Sequence, residues 1–307
     1  MNYLKDYREG EKFVGTYLCK QKQILKTKAG KTYYSLTLQD KTGTADGKIW
    51  ELNNGIANFE PMDYIHCEGM VTSFQGNLQM NISRVRISDE GEYDPADYVP
   101  CTNKDVGEMF SRILKYVASV QNKYLRKILE MYFVENKEFV DAFKKHSAAK
   151  SVHHGFMGGL LEHTLSVTDM CQYFAEHYPM IHRDLLITAA LFHDMGKIQE
   201  ISDFPMNDYT DDGQLLGHIY IGARCMENAA AQIPNFPPKL KNELVHCILA
   251  HHGKMEFGSP KVPAIMEAMA LHMADNADAK LQTLTEVFTQ AGDNMGWLGF
   301  NRMFCLL

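Results

Sequence analysis

Five of the thirteen histidines and two aspartates follow one another through the second half of the chain as His163, His193-Asp194, His218, His251-His252 and Asp275. Imidazole together with carboxylate is a ligand set for Mn, Fe, Co, Ni or Zn, whereas calcium takes oxygen alone. A centre for one or two divalent transition-metal ions is the chemistry implied. His193 and Asp194 are neighbours, so on a helix their side chains leave about 100° apart. They can address one ion from two directions, or two ions with Asp194 as a bridge. A histidine taken singly is more often packed in a core or solvated than a ligand, and His66, His146, His177, His182, His246 and His272 are read that way. The series is different. His193-Asp194 follows the apolar run Leu185 to Phe192 and Asp275 lies within Ala270 to Ala279, and polar groups beside core-forming runs need partners.

The elements that must position these residues are helical. From Asp105 the apolar spacing Val106, Met109, Phe110, Ile113, Leu114 and Val117 has a helical period, with Asp105 placed to cap. Further helices are predicted over 122–146, 159–177, 184–195, 218–232, 238–252 and 262–281, broken at Gly158-Gly159, Pro205, Pro234, Pro237-Pro238 and Gly258 to Pro260. The front of the chain has another period. Phe13 to Cys19, Tyr33 to Leu38, Gly47 to Leu52, Tyr64 to Val71 and Leu78 to Ile87 are short alternating runs separated by turn residues. Five such strands predict a Greek-key barrel of the OB type. Residues 89–104 are acidic, hold Pro95 and Pro100, and show no period, which predicts a linker. The expectation is a two-domain α+β chain: a five-stranded OB barrel at 1–88, the linker at 89–104, and an all-α domain at 105–307.

Composition fits a soluble protein of 307 residues with 45% hydrophobic and 22% charged side chains. No apolar run is long enough to cross a membrane, and the N-terminus lacks the apolar core of a secretory signal. The seven cysteines are odd in number and never spaced C-x-x-C, which argues against a disulfide framework or a zinc ribbon. A cytoplasmic location is expected. Residues 1–88 carry 12 Lys+Arg against 9 Asp+Glu, leaving 19 against 29 for the rest. The front domain is therefore the better partner for a polyanion, and its charge permits nucleic-acid binding without requiring it.

The ordered series H…HD…H…H…D resembles the HD-domain metal-dependent phosphohydrolases, with His193-Asp194-Met195-Gly196-Lys197 as the segment that gives them their name. A narrower resemblance covers nearly the whole chain. Leu38-Gln39-Asp40-Lys41-Thr42-Gly43 and Lys48-Ile49-Trp50 in the front domain, His153-His154, Gly158-Gly159-Leu160-Leu161-Glu162-His163-Thr164 and Leu216-Gly217-His218 are similar to the YhaM-type 3′ to 5′ exoribonucleases. That family joins an OB domain to an HD domain and uses a divalent metal, commonly Mn. The resemblance implies that His163, His193, Asp194 and Asp275 hold a first ion and that His218 and His251 hold a second with Asp194 bridging. His252 is a further candidate. A centre of this kind lowers the pKa of water from about 15.7 toward roughly 7 and can steady the attacking and leaving oxygens of an in-line displacement. Lys197, four residues after His193 and so near the same helix face, is placed to neutralise phosphate charge; a solvated helix-end lysine is the plainer alternative. His153 and His154 could bind phosphate or protonate the leaving oxygen.

In the front domain, Tyr33, Tyr34, Trp50 and Phe74 are candidates for base stacking and Lys48, Arg84 and Arg86 for phosphate contacts. Alternation turns Tyr34 inward and Tyr33 outward, and the parity of Arg84 and Arg86 with Met80 and Ile82 predicts a bulge between them. Three functions compete. The leading one is a 3′ to 5′ exonuclease of single-stranded RNA, with single-stranded DNA as a second substrate. Another is a nucleotide phosphohydrolase or cyclic-nucleotide phosphodiesterase, disfavoured by the attached barrel. The last is a non-catalytic nucleic-acid adaptor, disfavoured by the complete ligand series. Trp297, Leu298, Phe300, Met303, Phe304, Leu306 and Leu307 make an apolar tail that packs on its own domain or in a homo-oligomer.

Overall fold

A computed structural model describes residues 2–150, 154–292 and 296–298. His153 and the tail residues from Phe300 onward lie outside the described residues. The chain divides into two compact units, 1–101 with 204–206, and 102–203 with 207–307.

The first unit is a closed barrel of β1 (Lys12–Lys26), β2 (Thr32–Asp40), β3 (Gly43–Ile49), β4 (Tyr64–Phe74) and β5 (Asn77–Ile87). The strand order is β1-β2-β3-β5-β4, and β4 returns to β1. All pairs are antiparallel except β3 with β5, whose parallel pairing at Asp46 to Lys48 closes the barrel. That order is the OB topology. Alternate side chains fill the interior, among them Phe13, Tyr17, Leu36, Leu38, Ile49, Ile65, Val71, Met80 and Val85. The expected bulge lies in β5. Glu68 pairs with Arg84 but Gly69 pairs with Ile82, so Ser83 is the extra residue.

Several strand limits differ from those expected. β1 runs on to Lys26, seven residues past Cys19, as a polar ribbon paired with β2. β3 begins at Gly43 and ends at Ile49, which leaves Trp50 to Leu52 beyond the strand. Backbone pairing, not apolar alternation, sets these ends. The stretch expected as a linker is largely packed. Tyr98 and Val99 are buried, Tyr64 stacks on Tyr93, and the Gln39 amide donates to the Tyr98 carbonyl.

The second unit is all-α among the described residues, built from α1 (Val106–Ser119), α2 (Lys123–Glu130), α3 (Lys137–Lys145), α4 (Gly159–His177), α5 (Arg183–Phe192), α6 (Lys197–Glu200), α7 (Asp211–Ala231), α8 (Pro238–Ala250) and α9 (Met266–Ala291). The Asp105, Asn122 and Asn136 side chains accept from the first turns of α1, α2 and α3, and Thr210 does so for α7. Each satisfies an otherwise unpaired backbone N–H. A π turn at Met131–Glu135 divides the helix expected over 122–146. α5 lies in the centre of the unit. Every residue from Leu185 to Phe192 is buried, so no polar stripe was there to be read. No described helix is long and apolar enough to cross a membrane.

Candidate metal centre

Five helices bring their ligand-type residues to one point. α4 supplies His163, the turn after α5 supplies His193 and Asp194, α7 supplies His218, the end of α8 supplies His251 and His252, and α9 supplies Asp275. Two glycines make this possible. A Cβ on Gly196 would lie 2.1 Å from the His218 carbonyl oxygen, so only glycine lets the turn after α5 meet α7. Gly217 breaks α7 with φ 71° and ψ 154°, and this break aims the His218 ring.

Asp194 is 2% exposed and sits at the middle. Its Oδ2 lies 3.3 Å from His163 Nε2 and 3.5 Å from His193 Nε2, while Asp275 Oδ1 is 3.2 Å from the same His163 nitrogen. Its Oδ1 faces the other way, 3.5 Å from His218 Nε2 and 3.6 Å from His251 Nε2. The potential ligand atoms of His163, His193 and Asp275 lie within 4.8 Å of one another, and so do those of His218, His251 and His252. The doublet therefore places both of its rings in the second group.

The ring orientations follow from their hydrogen bonds. The Nδ1 atoms of His193, His251 and His252 lie 2.8, 2.7 and 2.9 Å from the carbonyl oxygens of Ala190, Ile248 and Phe257. His163 Nδ1 is 2.7 Å from Asp278 and His218 Nδ1 is 2.9 Å from Glu200. Carbonyl and carboxylate oxygens only accept, so each Nδ1 carries a proton and each ring turns its Nε2 inward. His163 Nε2 and His193 Nε2 then face each other at 3.2 Å. On the other side Asp194 Oδ1, His218 Nε2 and His251 Nε2 are buried without a hydrogen-bond partner. Converging lone pairs with no donor between them fit a divalent cation, and the nitrogen-rich donor set suits a transition metal.

Electrostatics divide the rings, burial lowering His193 and His252 while the carboxylates raise His163 and His251 against their burial. Burial lowers His193 and His252 to about 4, so both rings are neutral near pH 7. Burial also works against charge on His163, but Asp194, Asp275 and Asp278 outweigh it and hold its pKa well above the ordinary value. Asp194 and Asp275 are pulled well below the usual carboxylate range against their own burial, Asp194 chiefly by Lys197 and Asp275 chiefly by His163.

Other predicted residues are placed differently from expectation. Lys197 does not share a helix face with His193, because the chain turns at 193–196 and Lys197 opens α6. Its ammonium still reaches the centre, 2.7 Å from Asp194 Oδ2. His154 is buried behind His163, with Nε2 3.0 Å from Asp278. That position takes it out of the row of rings around Asp194. Sequence reasoning missed Asp278, Glu200 and His272, the last of which holds the His251 carbonyl through Nδ1 at 2.9 Å. The available signal was spacing, since Asp278 and Glu200 each fall three residues after a singled-out residue.

On the barrel, Tyr33 stacks on Trp50 with centroids 4.6 Å apart, and Trp50 Nε1 donates to Asn81 at 3.0 Å. Tyr34 turns toward the core, as alternation predicts. Phe74 is 61% exposed at the end of β4. The cations are less free than expected. Lys48 donates to Ser35 and Asp46, and Arg86 is held at both ends of the Glu92 carboxylate, at 2.6 and 2.8 Å. Arg84 lies beyond the β5 bulge, exposed, 3.7 Å from Glu68.

The chain is similar in sequence to known proteins. Residues 160–280 match the HD domain family. The chain is 32% identical over 257 residues to the 3′-5′ exoribonuclease YhaM of Geobacillus sp. (strain WCH70), an alignment covering 83% of this chain and 78% of that one. It is 32% identical over 262 residues to YhaM of Bacillus subtilis (strain 168), covering 83% and 81%, and 32% over 293 residues to YhaM of Listeria innocua, covering 92% and 90%. Among solved structures, the second OB-fold domain of replication protein A from Methanococcus maripaludis is similar to 30% of this chain over 98% of its own length, at 20% identity and a TM-score of 0.24. With nearly a third of its residues shared over most of both lengths, the chain belongs to the YhaM 3′-5′ exoribonuclease family.

Proposed function

We propose that this protein is a metal-dependent 3′ to 5′ exoribonuclease. The barrel captures a single strand of RNA, with single-stranded DNA as a second substrate, and the helical unit hydrolyses its phosphodiester bonds. The observation that carries the reading is the position of Asp194, whose two oxygens face two separate groups of inward-turned imidazoles. His163, His193 and Asp275 would hold one ion with Asp194 Oδ2, and His218, His251 and His252 a second with Oδ1; Mn is the proposed native metal. When bound, such ions supply Lewis acidity toward water and toward phosphoryl oxygens.

The chain's own residues do the remaining work. With the ring Nε2 atoms deprotonated, as ligation of ions would require, Asp194, Asp275, Asp278 and Glu200 with the Lys197 ammonium leave three negative charges. Two divalent ions held there would turn this to one positive charge, matching the single charge of a phosphodiester. Lys197, held 2.7 Å from Asp194 Oδ2, would neutralise negative charge developing on phosphate oxygens. On the barrel, the Tyr33–Trp50 stack offers an aromatic face to a base without regard to its identity, which suits an enzyme that must pass every nucleotide. Cys19, Cys67, Cys171 and Cys247 are buried free thiols, in keeping with work in the reducing cytoplasm.

The test is digestion of a 5′-labelled single-stranded RNA with added Mn. A ladder that shortens from the 3′ end, and vanishes with chelator and in Asp194→Ala, is expected. Cleavage of mononucleotide or cyclic-nucleotide esters without any cleavage of RNA would refute the exonuclease reading and leave the metal centre standing.

A further inference from the structure

The five imidazoles around Asp194 are not held alike. Three give their Nδ1–H to backbone carbonyls, which are neutral. His163 and His218 give theirs to carboxylates, and these two rings lie on opposite sides of Asp194. An anionic acceptor fixes the tautomer and raises the basicity of the far nitrogen more than a carbonyl does.

Each carboxylate is itself held in place. Asp278 is buried on α9, one turn after Asp275, so a single helix carries a ligand and the group behind another ligand. Its Oδ2 accepts from His163 Nδ1 at 2.7 Å and His154 Nε2 at 3.0 Å, and its Oδ1 accepts from the Ser166 hydroxyl. His154 adopts a left-handed backbone conformation, φ 57°, to reach it. On the other side Glu200 Oε1 accepts from both the His218 backbone N–H and Nδ1–H, each at 2.9 Å, so one oxygen clamps the ring and the backbone just past the Gly217 break.

We infer that Asp278 and Glu200 are positioning residues that tune the two sides of the centre separately, Asp278 acting through His163 on the Oδ2 side and Glu200 acting through His218 on the Oδ1 side. His154 and Ser166 serve the first side by holding Asp278. The inference rests on the proposal that the centre binds divalent ions.

Equilibrium binding of Mn alone to the full-length chain tests it. The isosteric variants Asp278→Asn and Glu200→Gln are each measured in the wild type and in two backgrounds with one side removed, His218→Ala and His193→Ala. Loss of a group that orients a metal-binding histidine weakens affinity by about 10- to 100-fold. Asp278→Asn is expected to weaken the ion that remains in His218→Ala by that factor and to leave the ion in His193→Ala within about twofold; Glu200→Gln does the reverse. In the Zn-loaded protein the Nδ1–H proton resonance of His163 should move only with Asp278→Asn and that of His218 only with Glu200→Gln, a sorting that general loss of packing cannot produce. Should Asp278→Asn fail to fold, His154→Ala keeps the carboxylate, and a several-fold weaker Mn affinity on the same side is expected. Equal weakening in both backgrounds, or none in either, overturns the inference. Wild-type protein that binds no Mn, or Asp194→Ala that binds it unchanged, overturns the metal centre itself.

Discussion

Lys197→Met separates the electrostatic role of this lysine from its role in shape. The Lys197 ammonium lies 2.7 Å from Asp194 Oδ2, and the two side chains are 12% and 2% exposed. Methionine keeps most of the volume and removes the charge. Without a metal, Asp194 then remains a buried carboxylate beside Asp275 with no lysine partner, a loss that costs about 3 to 5 kcal/mol. For a unit of this size each kcal/mol lowers the melting temperature by roughly 2 to 4 °C. In chelator, melting followed by helical circular dichroism should therefore fall by roughly 6 to 20 °C. Divalent ions compensate the same carboxylate, so the cost in saturating Mn should shrink to about 1 kcal/mol. Binding and folding are linked, and a difference of about 3 kcal/mol between the two conditions is about two decades of affinity. Lys197→Met should thus bind Mn about 100-fold more tightly while losing on the order of 100- to 1,000-fold in turnover, the usual loss when a charge that stabilises the transition state is removed. Equal destabilisation with and without Mn, or weaker Mn binding, would refute the reasoning.

Gly196→Ala should be poorly tolerated, because its Cβ would sit 2.1 Å from the His218 carbonyl oxygen and 2.9 Å from the Gly222 nitrogen. A loss of about 1 to 3 kcal/mol or more is expected in denaturant unfolding, together with weaker Mn binding; unchanged values in both would show that α7 can retreat. Trp50→Ala should weaken single-strand binding by about 1 to 3 kcal/mol in fluorescence anisotropy and leave Mn affinity alone; binding within twofold of wild type removes the Tyr33–Trp50 stack from the strand path. Arg86 and the Asp89 backbone hold Glu92 down at about 2. A depressed carboxylate contributes stability that is complete above its unfolded value, near 4.5, and is lost as pH falls toward about 2. The difference in stability between wild type and Glu92→Gln should accordingly shrink on acidification below about pH 4.5, and a difference that grows there would reverse the assignment.

The ligand series was legible because metal chemistry restricts residue type. The groups behind it left only their three-residue spacing from Asp275 and Lys197, which surface carboxylates share, so packing of the helices is what distinguishes Asp278 and Glu200. Helix α5 could be read from its apolar run. The start of α7 could not, because Asp211 to Gln214 lack apolar spacing and Gly217 reads as an end when it is a break within the element. The five strands of the barrel were legible from alternation, but β3 begins at Gly43, where pairing with β2 holds Gly43, Ala45 and Asp46, residues of low strand preference. Arg86 illustrates the limit of charge as a guide. Exposed cations near a binding fold invite a phosphate role, and only the folded chain reveals that Glu92 already occupies this one.

The inward Nε2 atoms have a consequence for the cell's most abundant divalent ion. Magnesium dehydrates reluctantly and takes oxygen in strict octahedral geometry. A cavity whose rings are locked in the nitrogen-donating tautomer by backbone carbonyls, Asp278 and Glu200 offers it little. Activity would then follow the supply of scarcer metals and stay indifferent to magnesium. The same donors rank Zn above Mn in intrinsic affinity, so availability, more than the protein's own preference, would decide which ion sits there.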